Sequence, residues 1–324
     1  NVDVKAATQK GVLVVNSPGG NTIAAAEHTI AMMLSLSRNI PIANSSTFSG
    51  KWERKKFVGN ELYKKRLGVV GLGKIGTHVA KVANALGMDV YGYDPFVSSE
   101  RAQQLQVQLS ELDVLFQESD YVTLHLPRTS ETENLVDMRV LKNMKNSAKL
   151  INCARGGIIN ENDLAEALNQ SLIGGAAIDV FSEEPLDSNS PLLKVEKNLI
   201  LTPHLGASTK EAQENVAVDV AEQIRDVLLG LSARTAVNIP GLSPDIMDSL
   251  KPHLQLAETM GLLISQLSGG QVQKLEVKLQ GEFVQHPSQP LIIASLKGLL
   301  SKALGDRINY VNASLEADSR GILV

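Results

Sequence analysis

The chain has 324 residues, 43% hydrophobic and 20% charged, enough for two domains of about 150 residues each, which excludes a disordered tail or a miniature scaffold. Lys and Arg number 31 against 35 Asp and Glu, a formal charge of −4 with no basic block long enough to follow a nucleic-acid backbone, so no nucleic-acid partner is expected. The single cysteine, Cys153, excludes an intramolecular disulfide and a Cys-built zinc site, and no apolar run approaches a membrane span, so the chain reads as a soluble, cytoplasmic protein without a metal.

The chain opens on Asn1 rather than Met and closes on the apolar Gly321-Ile322-Leu323-Val324, so both ends look cut. Thr22 to Ser37 predicts a helix, N-capped by Asn21 or Thr22 and apolar on nearly every side through residues such as Ile23, Ala26, Ile30, Met33 and Leu36. Such a helix must be covered on more than one side, either in a core or at a subunit interface. Gly50-Lys51-Trp52-Glu53-Arg54-Lys55-Lys56 then sets the only Trp beside four cations, as a solvated loop or an anion-contacting arm.

Between 67 and 206, short β-branched runs alternate with longer helical patterns, which predicts an α/β fold with a doubly wound parallel sheet. The expected strands are Leu67 to Val70, Asp89 to Tyr93, Tyr121 to Leu124, Lys149 to Asn152, Gly175 to Asp179 and Leu199 to Leu201; expected helices include Gly73 to Leu86, Met138 to Met144 and Glu161 to Gln170. A linker at Asn238-Ile239-Pro240-Gly241, with Pro244, leads into a smaller α/β piece. Its expected elements are a helix over Leu250 to Leu267, a strand over Lys274 to Gln280, a helix over Leu291 to Leu304 and a strand over Ile308 to Val311. Nothing in that piece reads as catalytic.

Gly71-Leu72-Gly73-Lys74-Ile75-Gly76 follows the first of these strands directly and opens a helix, and Asp94 closes the next strand. Strand, glycines, helix and acid in this register form a dinucleotide fingerprint: Gly71 for the tight turn, Gly73 for approach of the pyrophosphate, Gly76 for helix-on-strand packing. The helix N-terminus offers free N–H groups and positive dipole to the diphosphate. A carboxylate at Asp94 accepts ribose hydroxyls and repels a 2′-phosphate, so NAD is expected over NADP.

Three later stretches fall at strand ends, where open α/β sheets bind ligands: Asn152-Cys153-Ala154-Arg155-Gly156-Gly157, Asp179-Val180-Phe181-Ser182-Glu183-Glu184-Pro185 and Thr202-Pro203-His204-Leu205-Gly206-Ala207. Singly, His204 could be a structural histidine and Arg155 could bridge to a surface acid; together with a cofactor fold they make the set a hydroxyacid dehydrogenase needs. Arg155 would clamp a substrate carboxylate and polarise the carbonyl oxygen, while His204 exchanges the hydroxyl proton. A glutamate on the far nitrogen of His204 would fix the tautomer and favour the protonated ring, and Glu183 and Glu184 are both placed for it. His28, His78, His125, His253 and His286 lack a comparable setting and read as structural.

These residues resemble the D-isomer-specific 2-hydroxyacid dehydrogenases: Gly71 to Gly76, Tyr93-Asp94-Pro95, Asn152 to Gly157, Asp179 to Phe181 with Glu183-Glu184-Pro185, and Pro203 to Thr209. Within that family, Gly50 to Phe57 and His204 to Thr209 are similar to the animal-type branch that oxidises 3-phosphoglycerate. The resemblance covers nearly the whole chain. It implies Arg155, Glu184 and His204 as catalytic, with Glu184 rather than Glu183 as His204's partner. It also implies NAD contacts at Gly71, Gly73, Lys74, Ile75, Gly76 and Asp94, at Leu126 beside the adenosine half, at Cys153, Ala154, Arg155 and Asp179 near the carboxamide, and at His204, Leu205, Gly206 and Ala207.

The reaction so implied oxidises 3-phosphoglycerate to 3-phosphohydroxypyruvate, opening L-serine biosynthesis. The alternatives are a sister reductase of glyoxylate or hydroxypyruvate and an NAD-sensing corepressor-type binding protein. The substrate is a phosphorylated 2-hydroxy acid, with Asn21 and Arg54 as candidate contacts and a homodimer or homotetramer as the assembly. The implied domains are an NAD-binding domain over 18–207, a remnant of a discontinuous substrate domain over 1–17 and 208–237, and a partial C-terminal α/β domain over 238–324. On this reading most of the substrate half lies before Asn1, a regulatory-type domain lies beyond Val324, and the chain as it stands binds NAD but turns over poorly.

Overall fold

A computed structural model describes residues 2–229, 233–239, 244–269, 271–281 and 288–324. Pro240 and Gly241 of the expected linker, and His286, lie outside the described residues. The chain divides into two compact units, residues 19–215 and residues 1–18 with 216–324.

The first unit is built on seven parallel strands: β1 (Arg66–Val70), β2 (Asp89–Tyr93), β3 (Gln108–Leu109), β4 (Tyr121–Leu124), β5 (Lys149–Asn152), β6 (Gly175–Ile178) and β7 (Leu199–Leu201). Their order is β3-β2-β1-β4-β5-β6-β7, so the winding reverses between β1 and β4, with Val70 opposite Tyr93 on one side and Leu124 on the other. The unit's helices are α2 (Thr22–Ser37), α3 (Ile40–Phe48), α4 (Lys74–Ala85), α5 (Ser99–Gln104), α6 (Leu112–Glu118), α7 (Met138–Asn143) and α8 (Glu161–Asn169); α1 (Val4–Gln9) precedes them in the other unit and α9 (Lys210–Leu228) crosses the unit boundary.

Because side chains alternate across a strand, the sheet buries a layer on each face. On one face Val70, Val122, Leu124, Leu150, Ala176 and Ile178 pack with Leu115 and Phe116 of α6, Leu141 of α7 and Leu164 of α8. On the other, Leu67, Val69, Val90, Ile151 and Ala177 pack with Ala26, Ile30, Met33 and Leu36 of α2 and Val79, Ala80 and Ala83 of α4. The predicted helix Thr22 to Ser37 is therefore a core helix here, although Ile23 and Leu34 remain exposed. Asn21 holds the expected N-cap position, without a side-chain hydrogen bond to the helix.

In the other unit, α10 (Pro244–Leu267), α11 (Gln289–Leu304) and α12 (Ala313–Ser319) enclose Leu250, Leu254, Leu291, Leu296 and Ile308. The two strands expected here do not form among the described residues. The 274–280 run is extended but carries one parallel bridge, Lys274 to Leu323, so its alternation records burial of Leu275 rather than sheet pairing. At 308–311 the Asn309 side chain accepts from the N–H groups of Val311 and Asn312, and that of Asn312 accepts from Asn309 N–H. These side-chain turns bend the chain into α12 instead of a strand.

Candidate active site

Asn21 and Arg54 aside, the predicted site residues follow the C-terminal ends of the strands. Around the reversal point, Gly71 has φ +96 and its N–H donates to Tyr93 C=O at 2.8 Å. A Cβ on Gly71 would lie 2.5 Å from the His125 carbonyl oxygen, and one on Gly76 would lie 2.0 Å from the Gly71 carbonyl oxygen. Both glycines are thus fixed by contact. Gly73, by contrast, would have nothing within 4 Å of a Cβ, and it opens α4 with no side-chain cap. That leaves the helix N–H groups uncapped beside open space, which fits the diphosphate of a dinucleotide. Lys74 is exposed and Ile75 half-buried on the same first turn.

Asp94, ending β2, turns back onto this loop: Oδ2 accepts from Leu72 N–H at 2.8 Å and Oδ1 from Phe96 N–H at 2.9 Å. Each oxygen keeps a lone pair for a further donor. Leu126 follows β4 and packs its side chain on the Gly71 turn. His125 Nε2 lies 3.0 Å from the Thr123 hydroxyl, and burial pushes its imidazole down from 6.5 to about 4.

The second half of the site stands on β5, β6 and β7. Asn152, buried at the end of β5, accepts from Ala154 N–H and donates to the Arg155 carbonyl, both at 3.0 Å, clamping the Cys153-Ala154-Arg155 turn. A Cβ on Gly156 would lie 1.6 Å from the Phe181 carbonyl oxygen, so the Arg155 loop and the Glu184 loop meet backbone to backbone. The Arg155 side chain is exposed and its Nη1 donates to Ala154 C=O at 2.7 Å rather than to Glu184 or His204.

Glu184 and His204 do meet. His204 Nδ1 is 2.7 Å from Glu184 Oε2, while Oε1 accepts from Phe181 N–H at 3.0 Å. The geometry selects Glu184 over Glu183. Partial burial opposes ionisation of Glu184, but the bonds from His204 and Phe181 outweigh it and hold the carboxyl below its usual value. With Nδ1–H committed to Glu184, Nε2 is the ring nitrogen left for proton exchange. His204 itself has φ +55, a left-handed conformation costing about 1–2 kcal/mol for an L-residue.

That conformation is held by Asp179, fully buried past the end of β6. Leu205 N–H and Gly206 N–H donate to its two oxygens at 2.8 Å each, and the Thr202 hydroxyl donates to Oδ1. His28 Nε2 from α2 lies 3.1 Å from the same Oδ1. Burial opposes the charge on Asp179, yet these donors hold its carboxyl below the ordinary value. Cys153 adjoins the cluster, with ligand atoms of His28, Cys153 and Asp179 within 4.8 Å of one another. Burial and the Asp179 charge push the thiol up to about 12, so it stays protonated beside the His28–Asp179 pair. Asn152, Thr202 and His28 make side-chain contacts to these loops that sequence reasoning missed. Asn152 had a signal, an Asn at a strand end before a turn; His28 had none, being 174 residues from Thr202.

Asn21 stands at the start of α2. Arg54 lies in a short 3-10 turn, Arg54–Phe57, exposed and apart from the His204 cluster in its bonding, beside Trp52 at 85% exposure. Among the described residues no helix is long and apolar enough to cross a membrane.

Residues 30–206 match the family described as D-isomer specific 2-hydroxyacid dehydrogenase, NAD binding domain, and residues 249–324 match the D-3-phosphoglycerate dehydrogenase intervening domain. The whole chain is 61% identical to a D-3-phosphoglycerate dehydrogenase of Synechocystis, covering 58% of it, and 46% identical to that of Archaeoglobus fulgidus, covering 61%. The chain thus spans about three fifths of the length of these relatives. They are bacterial and archaeal, so the expected animal-type affinity of Gly50 to Phe57 is not borne out. Among solved structures, D-lactate dehydrogenase from Aquifex aeolicus complexed with NAD and lactic acid superposes with a TM-score of 0.67 at 27% identity, over 74% of this chain and 77% of that one. The chain belongs to the D-isomer-specific 2-hydroxyacid dehydrogenase family.

Proposed function

We propose that this chain carries out the NAD-dependent oxidation of D-3-phosphoglycerate at C2 to 3-phosphohydroxypyruvate, the first step of L-serine biosynthesis. The observation that carries the reading is the 2.7 Å Glu184–His204 pair on the sheet edge that also bears the Gly71 to Gly76 turn. The names of the two relatives and of the 249–324 match favour the phosphorylated substrate.

NAD, when bound, would supply a nicotinamide able to accept a hydride. Backbone N–H groups from Gly73 to Gly76 would hold its diphosphate, Asp94 its ribose hydroxyls and Leu126 the adenosine half; Cys153, Ala154, Asp179 and Leu205 to Ala207 would line the nicotinamide end. Arg155 turns its guanidinium from the Ala154 carbonyl to the substrate carboxylate and the C2 oxygen. His204 Nε2 takes the hydroxyl proton as the C2 hydrogen leaves with its electron pair. Glu184 keeps Nδ1–H in place and stabilises the imidazolium so formed.

Arg54 neutralises the substrate phosphate with help from the adjoining lysines, across a subunit boundary, and Asn21 offers an amide not spent on capping its own helix. A homodimer in the cytoplasm is the working assembly, burying the exposed Ile40, Ile42, Phe48 and Trp52. This function implies an NAD-binding domain at 18–207, substrate-domain segments at 1–17 and 208–237, and a third domain from 238.

The test is a steady-state assay of the complete protein with 3-phosphoglycerate and NAD beside His204→Ala. Loss of the general base lowers kcat by about 10²- to 10⁴-fold. A variant within threefold of the parent, or a parent preferring an unphosphorylated hydroxy acid, overturns the reading.

A further inference from the structure

We propose that His28 is a positioning residue for the acid–base histidine, acting through Asp179; the inference rests on the role given to His204 above. His204 sits in a left-handed conformation that its side chain does not favour, so its neighbours must hold it there. Before it, His204 N–H donates to Thr202 C=O at 3.0 Å; after it, Leu205 and Gly206 donate to Asp179. The loop is therefore only as well placed as the Asp179 carboxylate.

Three donors converge on Asp179 Oδ1, and His28 is the one that comes from outside the loop. It stands on α2, whose Ala24, Ala25, Ala26 and Ile30 are buried, so its backbone is fixed by the core. Its Nε2 lies 3.1 Å from Asp179 Oδ1 and 3.3 Å from the Thr202 hydroxyl. Asp179 is ionised and Thr202 spends its proton on it, so Nε2 must carry the proton and donate. A single N–H thus bridges the carboxylate that holds residues 205 and 206 and the residue whose carbonyl holds His204. It ties the His204 loop to the helix behind the sheet. Removing it leaves the charge of Asp179 buried with one donor fewer and frees the carboxylate to rotate.

The experiment compares His28→Leu, which has no donor, with His28→Gln, whose amide N–H reaches the same place, in the complete enzyme. Displacing the base by a fraction of an ångström lowers kcat roughly 10- to 100-fold while the KM for the hydroxy acid, set by Arg155, moves less than about threefold. The solvent isotope effect on kcat rises in His28→Leu as proton transfer becomes limiting. His28→Gln restores kcat to within about threefold and returns the isotope effect to the parent value. Wild-type kcat in His28→Leu, or equal losses in both variants, overturns the proposal. If His28→Leu fails to fold, His28→Phe, which keeps a planar ring but has no N–H, replaces it, with the same split expected and the same outcomes decisive. His204→Ala run alongside separates the two inferences: an active His204→Ala defeats the acid–base reading, whereas an inactive His204→Ala with an unaffected His28→Leu defeats only this one.

Discussion

The two halves of the sheet edge are built from different materials. On the β1–β2 side the site is backbone: a glycine turn, the open N-terminus of α4 and one carboxylate folded onto Leu72 N–H. On the β5–β7 side the backbone is ordinary or strained, and the buried Asn152 and Asp179 with the half-buried Thr202 and His28 hold three loops in register. A phosphate contact needs free N–H groups and space, which a short local motif delivers. Proton transfer needs two groups placed to a fraction of an ångström, which takes cross-linking between distant segments.

The comparison breaks most visibly at Gly76. Gly76→Ala drives a methyl into the Gly71 carbonyl oxygen, backbone against backbone, and should weaken NAD binding more than tenfold while costing about 1–3 kcal/mol of stability. Titration of NAD by fluorescence and a denaturant melt measure both; a variant that binds normally would mean the turn is not rigid. Asp179→Asn is the matching test on the other half. It replaces an acceptor by an amide facing the same donors, so kcat should fall about tenfold or more while the NAD affinity, held by the glycine turn, changes by less than about threefold. Equal losses of affinity and kcat would erase the distinction between the halves.

A smaller effect is expected in the pH dependence of stability. His125 has a folded value of about 4 against 6.5 for the ordinary imidazole. Between these values the unfolded chain binds a proton that the folded chain refuses, so stability is full above about pH 6.5 and falls as the pH drops toward 4, by roughly 3 kcal/mol at most. In His125→Gln this part of the slope should vanish in urea melts at stepped pH; an unchanged slope would assign it to other groups. The smallest change is expected at Arg54, which lies in neither half. Arg54→Ala should raise KM for the phosphorylated substrate several-fold with kcat retained, and an unchanged KM would remove Arg54 from the site.

The same contrast explains what could be read from the amino-acid sequence. Strands Asp89 to Tyr93, Tyr121 to Leu124, Lys149 to Asn152 and Leu199 to Leu201 agree with the structure residue for residue, because short runs rich in β-branched and aromatic residues mark them; β4 and β5 are moreover buried at every position. The helix Thr22 to Ser37 agrees as well. β3 was missed, since two exposed residues, Gln108 and Leu109, carry no pattern. The run from Lys274 misled because alternation reports which side chains are buried, whereas a strand also requires a neighbour to pair with. At the site, spacing marked the residues whose chemistry is exposed: Arg155, the adjacent glutamates and His204. It could not choose between Glu183 and Glu184, nor reveal His28, because both depend on contacts closed only by the tertiary fold.

β7 is three residues long and, among the described residues, pairs only with β6 and has no strand on its outer side. The imidazole expected to move the proton therefore rides on the selvedge of the fabric, where fraying begins. Gentle warming should extinguish turnover before the bulk of the sheet melts, with the amides of Leu205 and Gly206 exchanging hydrogen ahead of those in β1 and β4. Thermal endurance of the catalyst would then be governed by how firmly that hem is stitched down, and not by the depth of the core.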